Sequence, residues 1–153
     1  MTSAIRKIDA PRARQLAALP WRIGEDNVRE VLLITSRTNG RWMLPKGWPM
    51  EGHTNGQAAA LEAYEEAGVE GYLGDAPIGS YAYRKLLEDG RSKPSRAVIY
   101  SLRVDKQYRR WPESSERRRK WFTVDHAARK VFEPDLRRFL INLAAGRVVL
   151  PAG

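Results

Sequence analysis

The sequence predicts an α/β protein in which a mixed β-sheet lies between helices, an α/β/α sandwich. Several short segments show the alternating or continuous apolar pattern of strands, and three others show helical periodicity. A chain of 153 residues with 42% hydrophobic residues can bury the core of one globular domain. We expect residues 1–11 to form a flexible arm and residues 12–153 to form that domain.

The first part of the chain is predicted to contain three strands. Residues 15–23 and 28–36 have strand patterns, and the second includes the continuous Val-Leu-Leu-Ile run of a buried strand. Residues 24–27 are predicted to form the turn between them, and residues 42–44 a short third strand.

The later part of the chain predicts more strands and two helices. Residues 78–86 and 96–104 alternate like an antiparallel pair joined by a loop at 88–94. A short strand is expected at 120–124, followed by helices at 125–131 and 135–145. Pro134 suits the first turn of the last helix and Gly146 its end.

The most informative segment is residues 47–69, GWPMEGHTNGQAAALEAYEEAGV. Thr54 and Gln57 have the spacing of a capping box, which predicts a helix over residues 55–67. Gly68 suits the left-handed position just after a helix end. A loop containing glycine and proline precedes this helix, so both ends of the helix are defined.

Three carboxylates are predicted to share one face of this helix. Glu62, Glu65 and Glu66 stand at positions i, i+3 and i+4. Like charges at this spacing destabilise a helix by about 0.2–0.5 kcal/mol per pair, so a cation between them would be stabilising. Such hard oxygen donors suit Mg²⁺ or Mn²⁺, and protein-bound Mg²⁺ usually engages substrate phosphates. A solvated acidic surface is the alternative interpretation.

The segment resembles the signature of the Nudix hydrolases, G-x5-E-x7-R-E-U-x-E-E-x-G-U, where U is a bulky apolar residue. The positions that match in register are Gly47, Glu62, Glu65, Glu66, Gly68 and Val69, with Ala63 at the first apolar position. Two positions depart, because His53 stands for the first Glu and Leu61 for the Arg. In the family these two residues form a structural ion pair. Replacing both residues can leave stability unchanged, whereas replacing only one leaves a buried charge without its partner.

The flanking segments resemble one branch of that family. Residues 30–48 look like the strand, turn and strand that lead into the signature, and residues 111–131 are similar to the downstream loop, strand and helix of diphosphoinositol polyphosphate phosphohydrolases. That branch also includes enzymes that split diadenosine polyphosphates. The resemblance runs from about residue 12 to residue 143 and implies a Nudix-type sandwich whose catalytic helix follows a glycine-containing loop.

The resemblance also implies a catalytic site. Glu62 and Glu66 would hold Mg²⁺, or alternatively Mn²⁺, and Glu65 would complete the metal site or orient water. The number of metal ions stays open. Spacing alone does not decide which glutamate is the general base, and Glu65 is the hypothesis we adopt.

Five positions are candidates for binding substrate phosphates. Lys46 and Gly47 precede the helix, where an ammonium can meet a polyphosphate as a point charge. By resemblance, Arg14, Arg37 and Arg117 lie where the diphosphoinositol branch holds phosphates, and an arginine fork can grip phosphate oxygens with two hydrogen bonds. Ordinary exposed basic residues are the alternative for each of them.

Other polar and aromatic residues carry weaker hypotheses. Glu113 or Glu116 could supply an additional acid as a metal ligand or base, and Glu51 could partly replace the missing glutamate. His53 could respond to pH, although a polar loop residue is the simpler interpretation. Structural or core positions are expected for His126, Trp42, Trp121 and Phe122.

The charge of +9 and a pI near 10.2 are consistent with a polyanionic partner, and solubility or a compositional bias towards arginine is the alternative explanation. The basic residues are scattered and no base-stacking motif accompanies them, so nucleic acid is disfavoured against a small polyphosphorylated substrate. No apolar run is long enough for a membrane span and no secretory signal is visible. With no cysteine, a cytoplasmic location is expected. The oligomeric state stays open.

These observations predict Mg²⁺-dependent hydrolysis of a phosphoanhydride bond in a small substrate such as a diadenosine polyphosphate or a diphosphoinositol polyphosphate. One alternative is a hydrolase of another nucleoside diphosphate derivative or of an RNA 5′ end. Another is a ligand-sensing module without turnover, because His53 and Leu61 break the signature. The retained glutamates argue against the sensing module.

Overall fold

The computed structural model describes residues 14–151, and the predicted arm at residues 1–11 lies outside them. The described strands are β1 (Arg14–Ile23), β2 (Arg29–Thr35), β3 (Trp42–Met43), β4 (Lys46–Gly47), β5 (Val69–Leu73), β6 (Gly79–Leu86), β7 (Ser92–Gln107) and β8 (Arg119–Thr123). The described α-helices are α1 (Asn55–Glu62), α2 (Val124–Lys130) and α3 (Pro134–Ala144). A single π-helical turn, Ala63–Ala67, continues α1.

The strands form one mixed sheet in which β1 and β7 are parallel and the other pairs are antiparallel. β1 pairs with β2 only through residues 21–23. Further along, β1 pairs with β4 while β2 pairs with β3. The segment 42–47 therefore enters an opening between β1 and β2.

Hydrophobic residues cover both faces of the sheet. Ala17 and Leu19 of β1 belong to a core that also contains residues of α2 and α3. Leu16 and Ala18, which alternate with them, belong to a second core against α1. Successive side chains of a strand point to opposite faces, so one strand supplies both cores. The predicted α/β/α sandwich is confirmed.

The helix that follows the glycine-containing loop begins and ends at the predicted residues, but its last turn is π-helical. Thr54 Oγ1 accepts a hydrogen bond from Gln57 N at 3.1 Å, and Thr54 N donates to Gln57 Oε1 at 2.9 Å, so the capping box is present. The α-helix then widens into the π turn and closes at Gly68, whose φ is 68°. Helical periodicity in the sequence did not distinguish this turn from regular α-helix.

Three features of the sheet differ from the prediction, and the first is the two-residue strand β4, which was not predicted. β5 was not predicted, because its Gly71 lies at a β-bulge and interrupts the strand pattern. β7 begins at Ser92 rather than residue 96, since the Ser-Lys-Pro-Ser stretch that resembled a loop pairs with β6. No helix of the described chain is long and apolar enough to cross a membrane.

The aromatic residues and His126 have the expected structural positions. Phe122 is buried, and Trp42 packs on the same core while Trp121 packs on the other. The His126 ring meets the Phe122 ring edge-on at 5.1 Å.

Candidate active site

The Glu62 carboxylate lies directly against the backbone of Gly47. A Cβ at position 47 would collide with the carboxylate carbon and oxygen of Glu62. Gly47 pairs with Leu16, whose side chain belongs to the core on the α1 side. Residue 47 must therefore lack a side chain for the carboxylate to reach the sheet.

The carboxyl groups of Glu62 and Glu66 interact with each other. Burial, followed by the negative charge of Glu66, raises the pKa of Glu62 to about 8. Burial also raises the pKa of Glu66, although Arg117 opposes this. In the absence of a cation, a proton thus relieves the repulsion of this pair.

Glu66 fills the opening of the sheet. Lys46 N, on β4, donates to Glu66 Oε1 at 3.2 Å. Arg117 Nη2 lies 3.5 Å from Glu66 Oε2, and Arg117 Nη1 donates to the Thr35 carbonyl oxygen, at the end of β2, at 3.0 Å. The Glu66–Arg117 pair therefore links β4 to the end of β2.

Arg117, predicted to bind substrate phosphate, is engaged with protein acceptors. Besides Glu66 and Thr35, its Nε donates to Glu113 Oε1 at 2.7 Å, and its side chain is 6% exposed. In this conformation it positions Glu66, and its contact with phosphate stays a prediction. Glu113, considered as an additional acid, is the ion-pair partner that helps to hold this guanidinium.

The structure assembles two of the three predicted metal ligands. In residues 14–151, no three acidic, histidine or cysteine side chains are grouped so that they could hold a metal ion. Glu65 is half-buried, and its carbonyl oxygen accepts a hydrogen bond from Glu113 N at 3.1 Å. Protein-bound Mg²⁺ typically uses one or two carboxylates plus substrate phosphates, and the Glu62–Glu66 pair fits that requirement.

The backbone N–H of Lys46 binds Glu66, whereas its side chain lies on the face of the sheet opposite α1. Lys46 pairs with Ala17, which belongs to the core opposite α1, and directly paired residues share a face. Its Nζ lies 4.8 Å from the centre of the Tyr83 ring. Burial lowers the pKa of Lys46 to about 8, despite the nearby negative charge of Glu66.

The other two predicted phosphate ligands lie at the surface. Arg37 is exposed and its Nη1 lies 3.0 Å from Glu116 Oε1. This hydrogen bond, followed by the charge of Glu113, raises the pKa of Arg37. Arg14 is exposed at the start of β1, opposite Arg96. Both arginines stay predicted phosphate ligands, and Glu116 is the partner of Arg37.

Comparison with known proteins decides the family. The NUDIX domain family model matches residues 14–143. The chain belongs to the Nudix hydrolase family. It is 34% identical over 118 residues to Nudix hydrolase 16, mitochondrial, of Arabidopsis thaliana, a match covering 75% of this chain and 65% of that protein. It is 37% identical over 101 residues to diphosphoinositol polyphosphate phosphohydrolase 3-beta of Homo sapiens, covering 64% and 57% respectively.

Solved structures show the same fold. An Ap4A hydrolase of C. elegans matches with a TM-score of 0.63 at 19% identity, over 89% of this chain and 98% of that one. The Nudix domain of Shewanella oneidensis NrtR, solved with ADP ribose, matches with a TM-score of 0.63 at 19% identity, over 89% and 88%. This Nudix chain spans about half to two thirds of the length of the curated relatives it matches.

The two departures from the Nudix signature face one groove. His53 and Leu61 both line a groove of about 650 Å³ between α1 and β5. His53 is exposed, and its Nδ1 lies 3.2 Å from the carbonyl oxygen of Glu51. The two positions that carry the ion pair in the family therefore line the same groove. Neither His53 nor Leu61 places an unpaired charge in the interior.

One structural element of this Nudix site was missed by sequence reasoning. Arg119 Nη1 donates to the carbonyl oxygen of Ala67 at 2.8 Å, and its guanidinium lies 3.8 Å above the ring centre of Trp111. Trp111 Nε1 donates to the carbonyl oxygen of Glu66 at 3.1 Å. Together these side chains satisfy carbonyls at the end of the π turn. The only sequence signal was a tryptophan and a basic run, neither of which specifies a cap.

Proposed function

We propose that this chain hydrolyses a phosphoanhydride bond in a small polyphosphorylated substrate with the help of Mg²⁺. The observation that carries the proposal is the Glu62–Glu66 carboxyl pair, placed against Gly47 at the opening of the sheet. A divalent cation between the two carboxyl groups would relieve their mutual repulsion. Glu62 and Glu66 would hold the cation, with Glu65 as the additional ligand.

The bound Mg²⁺ would neutralise phosphate charge and lower the pKa of a coordinated water. The chain's own residues set the geometry. Arg117 fixes Glu66 from one side and the Lys46 N–H fixes it from the other. Glu65 is our hypothesis for the base that takes the proton of the attacking water. Lys46 would stabilise the charge that develops on the leaving phosphate.

Two substrate classes are supported by relatives. Several curated relatives are named diphosphoinositol polyphosphate phosphohydrolases, and matched structures include an Ap4A hydrolase. The net charge of +9 suits both substrates, since each is a compact polyanion. We propose that the substrate belongs to one of these two classes and that the protein acts in the cytoplasm.

The experiment is product release from a small panel in the presence of Mg²⁺. The panel contains diadenosine tetra- and hexaphosphate, a diphosphoinositol polyphosphate, ADP-ribose and a 5′-triphosphorylated RNA. We expect cleavage of one of the first two classes and its loss, by at least about a hundredfold, in Glu66→Gln. Glu88→Gln is the matched control, because Glu88 is exposed on the β6–β7 loop.

Other outcomes would change the proposal. Cleavage restricted to ADP-ribose or RNA would keep the chemistry and replace the substrate. Wild-type protein that binds a panel member without cleaving it would instead indicate a ligand-sensing module. Wild-type activity in Glu66→Gln would show that the carboxyl pair is not the catalytic site.

A further inference from the structure

Four consecutive carbonyl oxygens at the end of the π turn accept hydrogen bonds from residues 108–119. The donors and the residues whose carbonyls accept are Glu113 N to Glu65, Trp111 Nε1 to Glu66, Arg119 Nη1 to Ala67 and Tyr108 N to Gly68. A helix ordinarily ends with carbonyls that have no partner inside the helix. Because one stretch of chain satisfies these carbonyls, its position and that of the π turn are fixed together.

The Trp111 ring packs directly on the glycine that ends the turn. A Cβ at Gly68 would lie 2.7 Å from Cδ2 of the Trp111 ring. The Arg119 guanidinium, 3.8 Å from the ring centre, also contacts this ring. Gly68 is therefore required both by its φ of 68° and by the space that the indole occupies. This packing holds the indole N–H against the carbonyl oxygen of Glu66.

Glu66 is thus held at two points by the same stretch of chain. Trp111 Nε1 lies 3.1 Å from its carbonyl oxygen, and Arg117 Nη2 lies 3.5 Å from its carboxylate oxygen Oε2. Arg117 is held in turn by Glu113. Residues 108–119 therefore fix both the backbone and the side chain of Glu66.

The direction of the Glu66 carboxylate depends on the π turn. A π turn contains more residues than an α turn, so relaxation to regular α-helix would rotate the residues after Glu62 about the helix axis. Glu62 itself precedes the turn and packs against Gly47. The contacts that hold the turn therefore set the placement of one carboxyl group relative to the other.

We propose that Trp111 is a positioning residue for the candidate cation site. Its indole N–H, bound to the Glu66 carbonyl oxygen, keeps the π turn in the form that directs the Glu66 carboxylate towards that of Glu62. The inference rests on the proposed function in one respect, the assignment of the Glu62–Glu66 pair as the Mg²⁺ site. It predicts that loss of the indole N–H weakens cation binding although both carboxylates remain.

The test substitutes Trp111→Phe, which removes the indole N–H and keeps an aromatic ring. We expect Mn²⁺ affinity, followed by the electron paramagnetic resonance signal of the free ion, to fall about tenfold, as for loss of other groups that orient metal ligands. Amide hydrogen exchange of residues 63–68 should become about tenfold faster, because the turn opens more often. Urea unfolding checks that the variant is folded under the conditions of both measurements.

Trp121→Phe is the matched control. Trp121 Nε1 donates to Gln107 Oε1 at 2.9 Å, and the Arg22 guanidinium lies 4.1 Å from the Trp121 ring centre. The control therefore loses the same kind of hydrogen bond from a tryptophan that also contacts an arginine, but its acceptor is not on the π turn. It should leave Mn²⁺ affinity and the exchange of residues 63–68 at wild-type values.

A double variant tests whether Trp111 acts through Glu66. In the Glu66→Gln background the charged ligand is gone, so adding Trp111→Phe should change Mn²⁺ affinity less than about twofold. A further loss of about tenfold would show that Trp111 acts by another route and would overturn the proposal. Equal losses of affinity in Trp111→Phe and Trp121→Phe would overturn it as well.

The two measurements separate this inference from the proposed function. Mn²⁺ affinity that depends on Glu66 but not on Trp111 would overturn the positioning role and leave the hydrolase intact. Mn²⁺ affinity that is unchanged in Glu66→Gln would refute the cation site. In that case faster exchange of residues 63–68 in Trp111→Phe alone would retain the role of Trp111 in holding the turn, and unchanged exchange would refute that role too.

Discussion

The carboxylate of Glu62 occupies the space in which a side chain of residue 47 would lie. The two residues are fifteen positions apart in the Nudix signature and are brought together by the pairing of β4 with β1 and the packing of α1 on the sheet. The φ of Gly47 is not positive, so the backbone conformation does not require glycine at this position. Glycine is required because a side chain would collide with Glu62.

Gly47→Ala should therefore push the Glu62 carboxylate out of position. We expect a loss of about 1–3 kcal/mol in the free energy of unfolding, the usual range for added bulk at a packed position. The rate of hydrolysis should fall by at least about tenfold, because displacement of a catalytic group from its productive geometry lowers the rate. Urea unfolding and initial rates measure the two effects.

The double variant Gly47→Ala/Glu62→Ala separates the two effects. Removing the Glu62 carboxylate should restore stability in the alanine-47 background but should not restore activity. If Gly47→Ala is as destabilising with Glu62→Ala as without it, the collision is not the cause.

The second prediction concerns the buried Arg117. Its removal leaves Glu66 without its ion-pair partner at a position where the Glu66 side chain is 9% exposed. We expect Arg117→Met to lower the free energy of unfolding by about 3–5 kcal/mol, the usual result of stranding one member of a buried pair. Arg37→Met is the comparison, because the exposed Arg37–Glu116 pair should contribute less than about 1 kcal/mol. Comparable losses in the two variants would contradict the positioning role of Arg117.

The third prediction is a pH dependence of the metal-free protein. The native state holds a proton on Glu62 up to about pH 8, whereas the unfolded chain releases it near its ordinary pKa of 4.5. Between these values the native state binds more protons, so stability should fall as the pH rises and level off above about pH 8. Thermal unfolding with a chelator, from pH 5 to 9, measures this slope.

Glu62→Gln provides the comparison for that slope, since it removes the titrating group. The variant should be less dependent on pH than the wild type across the same window. Added Mg²⁺ should stabilise the wild type most at the alkaline end, where the cation no longer competes with the proton. Identical slopes in the two proteins would contradict the raised pKa of Glu62.

The fourth prediction concerns the departures from the Nudix signature. His53 and Leu61 line one groove, so His53→Glu/Leu61→Arg should rebuild the family's ion pair between an exposed and a half-buried position. The expected gain in stability is below about 1 kcal/mol, as for other solvent-accessible pairs. Rates of hydrolysis should stay close to wild type. A large loss of activity in this double variant, despite normal stability, would assign the present residues a role of their own.

Local sequence patterns predicted an element correctly where the same residues also form its contacts in the folded structure. The apolar pattern of residues 15–23 predicts a strand, and in the structure that strand supplies both cores. The capping box at Thr54 predicts the start of α1, and the structure contains it. β5 was missed because Gly71 weakens its pattern, and strand pairing with β7 compensates for that weakness only in the folded chain.

The site was predictable in its residue types and less so in its contacts. Spacing placed Glu62 and Glu66 on one face, and in the structure their carboxyl groups interact electrostatically. Spacing could not show that Arg117 reaches across 51 residues of sequence to Glu66, nor that Arg119 caps the π turn. Such contacts depend on where β8 lies in the sheet, and no local pattern encodes that position.

The most direct test of the carboxyl pair as the cation site is Mn²⁺ binding, followed by the electron paramagnetic resonance signal of free Mn²⁺. The wild type and Glu88→Gln should bind the ion with equal affinity. Glu66→Gln should bind it at least about tenfold more weakly, because it loses a charged oxygen ligand. Equal affinity in the wild type and Glu66→Gln would contradict the assignment.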